Sequence, residues 1–382
     1  MVTFLHLLHK VKHSWGMGLW MVLFILLFAG GLGLYIQEFR ILAVVVQVFF
    51  LLITILSRPK VLVPKGFVLF FLFLLFLGLN ITWSKAKIAT LDYLILFAGG
   101  GAIWLLFYNY SKKLEKGFEF LLIFLGVAFA ASYLANLISL GQVPVRSWTL
   151  YLPGTFSRNH NHLGDLWALV LVVLGHRLLT RPRWWQWALL SMGVYFLAIS
   201  LSRSAYLALG VGVFYLFNKL SVSKNYKKLL ILFTILVTGL FLYAGVFKST
   251  LFARPYFGQV LYGLKKWPIG VGVGNFELIS GDPQSPWWSS PGLGKLSSSA
   301  HNLVLEMFAG MGVFGFIFTV FFAYVLADVL KFSRKTLFTA LFIAISVNFM
   351  FDPTYYIPTM VWLWFATLGL SQNGKKGYAV KK

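Results

Sequence analysis

Ser299-Ala300-His301-Asn302-Leu303-Val304-Leu305-Glu306-Met307-Phe308-Ala309-Gly310-Met311-Gly312-Val313-Phe314-Gly315-Phe316 leads a polar loop into an apolar stretch, residues 302 to 330, whose charged side chains are Glu306 and Asp328. A hydrocarbon layer about 30 Å thick is crossed by about 20 helical residues, so this stretch is long enough to span it. Every backbone amide inside lipid must find its partner within the segment, which makes a helix the expected conformation. The stretch thus predicts a membrane helix with a histidine at its mouth.

The same pattern recurs along the chain. Apolar residues make up 59% of the sequence, charged residues 11%, and the mean hydropathy is +0.81, whereas soluble domains carry roughly 25% charged residues. Spans are expected at about residues 15–36, 39–56, 66–83, 88–110, 118–140, 163–179, 186–201, 204–218, 229–247, 302–330, 337–351 and 355–371. The reading is an all-α polytopic membrane protein of about twelve transmembrane helices, with residues 1–382 as a single integral membrane domain. Residues 248–301, between the ninth and tenth spans, form its one long loop.

A net charge of +23 raises nucleic acid as a partner, but the basic residues form short runs between apolar segments and no continuous stripe, which argues against it. Their placement follows topology instead. With the N-terminus inside, most of the 33 Lys and Arg fall in short inner segments, among them Lys112, Lys113 and Lys116, Arg177, Arg181 and Arg183, and Lys331, Arg334 and Lys335. The positive-inside rule then puts both termini in the cytoplasm and residues 248–301 outside the plasma membrane. Lys10 and Lys12 before the first apolar run raise the alternative of a secretory leader. That run is about as long as a span, has no clear Ala-x-Ala site and leads straight into another span, so an uncleaved first helix is expected. The chain has no cysteine, which excludes disulfides and thiol chemistry.

Sorted by side, the unusual polar residues gather outside. Gly154-Thr155-Phe156-Ser157-Arg158-Asn159-His160-Asn161-His162-Leu163-Gly164-Asp165 runs into the sixth span, Ser202-Arg203-Ser204 separates the seventh from the eighth, and Asp352 lies in the last outer turn. An isolated arginine at a helix end is most simply one that snorkels to headgroups. His160 and His162 with Asp165 raise a metal pair, but the zinc spacing His-Glu-x-x-His is missing, and hydrogen bonds to a neighbouring loop, with Asn159 or Asn161 capping the sixth span, are the simpler expectation. Gly270-Val271-Gly272-Val273-Gly274-Asn275 lacks the strand, lysine and distal acid of a nucleotide loop, and is expected as a close-packed turn.

Within the long loop, Tyr256, Phe257, Val260, Leu261, Leu264 and Trp267 recur at helical spacing, with Arg254 before them and Lys265 and Lys266 near the end. This predicts an amphipathic helix lying at the membrane interface and stopped by Pro268. A mobile flap rich in Pro, Gly, Ser and Trp, including Trp287 and Trp288, is expected after it.

The motifs now carry a resemblance. Gly-Thr-Phe…Asn-His…Gly (154–164), Ser-Arg-Ser-Ala (202–205), Arg254 ahead of Trp-Pro-Ile-Gly-Val-Gly-Val-Gly-Asn-Phe (267–276), Ala-His-Asn-Leu-x-Leu-Glu (300–306) and Gly-x-x-Gly (312–315) occur in this order over about residues 150–320. The pattern resembles the O-antigen ligase and O-antigen polymerase superfamily. That resemblance implies a glycosyltransferase C type fold and transfer of a glycan from undecaprenyl diphosphate to a lipid or glycan acceptor at the outer face of the plasma membrane, with no metal, nucleotide sugar or other cofactor. It implies Arg203 and Arg254 as the essential arginines and His301 as the essential histidine. Asn161, Asn302, Glu306, Lys266 and Arg158 are expected as secondary substrate contacts. Many relatives carry an acidic residue nine positions after the histidine, where this chain has Gly310, while Glu306 lies five positions after it.

The residue types suit that chemistry. Guanidinium forks match the oxygens of a departing diphosphate in a bidentate way, and an imidazole can take or orient the acceptor's hydroxyl proton. A ligase-like activity is the first reading. A repeat-unit polymerase of the same superfamily uses the same donor with a different acceptor and is the alternative. A flippase or exporter of lipid-linked glycan stands further off, because charge is nearly missing from the centres of the spans.

Overall fold

A computed structural model describes residues 19–31, 37–56, 61–139, 159–220, 255–285 and 297–372, with the single positions 141, 156 and 239. Among the described residues the chain is helical, without a β-strand. The helices are α1 (Leu19–Gly30), α2 (Gln37–Leu56), α3 (Phe67–Trp83), α4 (Lys87–Ser139), α5 (His160–Thr180), α6 (Trp184–Ser200), α7 (Arg203–Lys219), α8 (Tyr256–Lys266), α9 (Phe276–Ser280), α10 (Leu303–Met311), α11 (Gly315–Phe332), α12 (Thr336–Phe349) and α13 (Pro358–Gln372).

Three helical stretches, Lys87–Ser139, His160–Thr180 and Leu303–Phe332, are long and apolar enough to cross a membrane, and shorter apolar helices accompany them. The surface they present supports this character. On α3 the buried side chains are Phe70, Phe73, Leu77 and Asn80, while Val68, Phe71, Leu75 and Leu79 on the other side are exposed. A helix apolar on both faces gains nothing from water and is stable where lipid covers its outer side.

The expected spans at 88–110 and 118–140 form one helical run that breaks at Tyr110 (φ −114°, ψ 17°). A straight helix would separate Phe107 from Phe118 by about 16 Å, yet their rings meet at 5.7 Å. The chain therefore reverses at Tyr110, and Lys, Leu and Glu after it are good helix formers that leave almost no loop. The expected span over 302–330 is also interrupted. Gly312 (φ 60°) closes α10, and Val313 N–H donates to Pro268 O at 2.9 Å before α11 begins. A loop residue thus enters the helix between its two halves.

Every side chain of α13 is buried. Its indoles find acceptors, which offsets the cost of burying a donor: Trp362 Nε1 donates to Leu96 O at 3.0 Å and Trp364 Nε1 to Ser346 Oγ at 2.8 Å. At one end of the bundle Gln372 accepts from Trp104 Nε1 at 2.9 Å and donates to Asp328 Oδ2 at 3.0 Å. Basic turns surround that end, with Lys335 paired to Glu115, and Arg177 Nε 2.6 Å from Glu119 Oε2. The conspicuous polar motifs lie at the opposite end. The expected ninth span (229–247), apart from position 239, and Arg158, Arg254, Trp287 and Trp288 lie outside the described residues.

Candidate functional site

The glycine turn builds the floor of this end. Gly270, Gly272 and Gly274 have φ of 80°, 100° and 83°, the left-handed region that only glycine enters without strain. Bent this way, the turn lays its backbone on α10: Val271 N–H donates to Ala309 O at 3.2 Å and Gly272 N–H to Gly310 O at 2.8 Å. Asn80 clamps both partners, donating to Gly310 O and accepting from Val273 N–H, each at 3.0 Å. A Cβ on Gly310 would lie 2.6 Å from Val273 N. Position 310 is therefore a packing glycine, and no side chain fits there.

Glu306 has a related task. It is 1% exposed, and its Oε2 accepts from Ala300 N–H at 2.8 Å and from Tyr355 OH at 3.1 Å. Asn302 caps α10 by accepting from Leu305 N–H at 3.0 Å and donates to Met350 O at 3.1 Å. Held from both sides, His301 adopts φ 51°, a conformation that costs a non-glycine residue about 1–3 kcal/mol and gathers at functional sites. Its ring stacks on Tyr256 with centroids 5.0 Å apart and planes 10° apart. Tyr256 opens α8, two residues after Arg254 in the sequence.

The face of α8 divides. Val260 and Gly263 are buried against the bundle, while Phe257 and Leu261 are exposed. Lys266 lies ten positions after Tyr256, roughly 15 Å along the axis. Its ammonium meets Asp282 Oδ2 at 2.6 Å and Gln284 Oε1 at 2.9 Å and sits 4.9 Å from the Trp267 ring. Hydrogen bonding to Lys266 holds the Asp282 carboxyl below its usual range, and Asp282 raises Lys266 in turn. Lys266 thus secures the loop at the far end of α8 from His301.

Arg203 is the first residue of α7, beyond a short joint in which Leu201 has φ 49°. Ser202 and Ser204, on either side of it, both donate to Asp165 Oδ1, at 2.9 and 2.8 Å, and their hydroxyls lie 2.7 Å apart. Asp165 is fully buried on α5. It reaches the joint because Gly164 lets Ser200 pack directly on α5. Asn159 caps α5 by accepting from Asn161 N–H at 2.9 Å. His162 faces Asp352, with Nε2 3.3 Å from Oδ1, and its ring meets Tyr356 edge-on at 5.9 Å.

The turn over residues 348–357 joins these parts. Asn348 lies against Asp165, Met350 receives Asn302, Asp352 meets His162 and Tyr355 meets Glu306. His301, Asn302, Glu306, Asn161 and Arg203 are thus gathered at one end of the bundle. Three helix N-termini, those of α5, α7 and α10, open there as well, each with roughly half a positive charge from its backbone dipoles. Arg203 is the first residue of one of them, and the arrangement suits an anion. Sequence reasoning passed over Tyr355 and read Tyr256 as part of a lipid-facing stripe; no spacing rule links either to the residue it touches. No protein-family model and no curated protein matches the chain.

Proposed function

We propose that the protein is a membrane glycosyltransferase of O-antigen ligase type, with about twelve spans in a glycosyltransferase C type fold. It resides in the plasma membrane with both termini in the cytoplasm, and its site faces outward. The donor is a glycan on undecaprenyl diphosphate, and the acceptor is a hydroxyl of a lipid or glycan. The observation that carries this reading is the gathering of His301, strained and stacked on Tyr256, with Arg203 at the N-terminus of α7 on one end of the bundle.

The acceptor oxygen attacks the anomeric carbon, the carbon–oxygen bond to phosphate breaks, and its electron pair leaves with undecaprenyl diphosphate. Direct displacement inverts the anomeric centre. Arg203 and Arg254 stabilise the charge that grows on the diphosphate, while His301 orients the acceptor hydroxyl and receives its proton. Asn302 and Glu306 hold His301 in place. A diphosphate is already a good leaving group, so the scheme calls on no metal.

Purified protein given radiolabelled glycan on undecaprenyl diphosphate, together with a glycolipid acceptor, is expected to transfer label without any ion gradient, and His301→Ala or Arg203→Ala to stop it. Undiminished transfer by both variants would sink the assignment. Glycan chain length in a deletion strain separates the two superfamily activities: shortened chains indicate the polymerase, and full-length glycan left on the carrier indicates the ligase.

A further inference from the structure

Among the described residues, Asp165 is the one carboxyl group that touches both neighbours of Arg203. It is 0% exposed, and a single oxygen, Oδ1, takes hydrogen bonds from Ser202 Oγ and Ser204 Oγ. Ser202 is also the N-cap of α7, its Oγ accepting from Ala205 N–H at 3.3 Å, and its own N–H donates to Ser200 Oγ at 3.2 Å. The residue between two pinned serines has little freedom to turn about the helix axis. An arginine in the first turn of a helix also meets the positive end of the helix dipole.

We propose that Asp165 is a positioning residue: through Ser202 and Ser204 it fixes the start of α7, so that the Arg203 guanidinium is directed toward a diphosphate at the surface of this end. The proposal rests on the diphosphate-binding part of the reading above and does not depend on which acceptor is used. It assigns the Ser-Arg-Ser triplet a joint role, with the serines serving as the arms of a carboxylate on another helix. A misplacement of about 1 Å in such a group costs on the order of 100-fold in rate, so the effect is large enough to measure.

The test uses the full-length protein in detergent and two readouts, affinity for undecaprenyl diphosphate in the absence of acceptor and kcat/KM for transfer. Asp165→Ala and Ser202→Ala/Ser204→Ala are each expected to weaken diphosphate affinity and to lower kcat/KM through KM for the donor. Asp165→Asn keeps an acceptor oxygen for both hydroxyls and is expected to recover most of the loss. In the Arg203→Ala background, Asp165→Ala is expected to add almost nothing, because residues acting through one another are not additive. A purely structural role would lower the yield of folded protein and leave this split, the rescue and the non-additivity unseen. Wild-type affinity in folded Ser202→Ala/Ser204→Ala, or full multiplication of the Asp165 and Arg203 effects, overturns the proposal while leaving the transferase reading intact. Diphosphate binding that responds as expected, with no transfer by the wild-type chain, supports the proposal and removes the transferase reading.

Discussion

The two ends of the bundle use polar residues in opposite ways. At the basic end the ion pairs are partly open to solvent: Lys335 and Glu115 keep 25% and 34% of their side-chain surface, and Arg177 and Glu119 keep 16% and 19%. At the other end Asp165 and Glu306 are 0% and 1% exposed, and each binds two donors that fix a neighbouring loop. On the proposed topology the basic end works by number, since orientation depends on the total of Lys and Arg and not on any one of them. Asp165 and Glu306 each have a particular task, because a buried polar atom that loses its partner has no water to turn to, whereas the Lys266–Asp282 pair at the same end is partly open like the basic-end pairs.

Mutations should separate the ends by the size of their effect. The largest is expected for His301→Ala and Arg203→Ala, each lowering transfer by on the order of 100-fold or more with membrane insertion unchanged, read from labelled product and from the folded fraction. Next comes Gly310→Asp. A side chain here meets Val273 N, and overpacking typically costs about 1–3 kcal/mol. A lowered thermal midpoint in detergent is expected, and an unchanged one would contradict the close fit between the glycine turn and α10.

Glu306→Ala should follow, because the Ala300 N–H and the Tyr355 OH both lose their acceptor, at about 1–3 kcal/mol for each buried donor left alone. Glu306→Gln, which keeps one oxygen, should lose less. At the basic end Lys335→Ala is expected to shift stability by less than about 1 kcal/mol, as partly exposed pairs do. A loss as large as that of Glu306→Ala would erase the contrast.

The Lys266–Asp282 contact adds a pH dependence of its own. The Asp282 carboxyl is held below its ordinary value of 3.8 by Lys266, so its contribution to the loop is complete above that value and is lost as pH falls through the lowered one. Lys266 is held above its ordinary 10.5, so its contribution is complete below 10.5 and is lost only as pH rises through the raised value. Hydrogen exchange over residues 255–285 should therefore show constant protection across neutral pH, after correction for intrinsic rates, with openings only at the two extremes.

Much of the frame was legible in the sequence. Helices stand where runs at 66–83, 163–179, 186–201 and 204–218 were expected, at Phe67–Trp83, His160–Thr180, Trp184–Ser200 and Arg203–Lys219, because an uninterrupted apolar run has few other ways to satisfy its backbone; of these four, His160–Thr180 is long and apolar enough to cross a membrane. The helix at 256–266, its stop before Pro268 and the tight glycine turn were also readable, from spacing and from the φ values that glycine allows. The interior partners were not. Asp165 stood in a cluster that raised a metal pair, and only the close approach at Gly164 brings Ser202 and Ser204 to its oxygen. Glu306 was legible as an acid five positions after His301, but not that it ties down Ala300 and meets Tyr355, nor that Gly310 admits Val273. Long-range contacts of this kind leave no periodic trace in a single sequence.

The central claim is that Arg203 acts as a planar fork on a diphosphate and not merely as a charge at a helix end. Its most direct test is the transfer rate of Arg203→Lys, which keeps the charge and loses the fork. The expected result is loss of most of the rate, with the folded protein and its membrane orientation unchanged; transfer at the wild-type rate would contradict the claim.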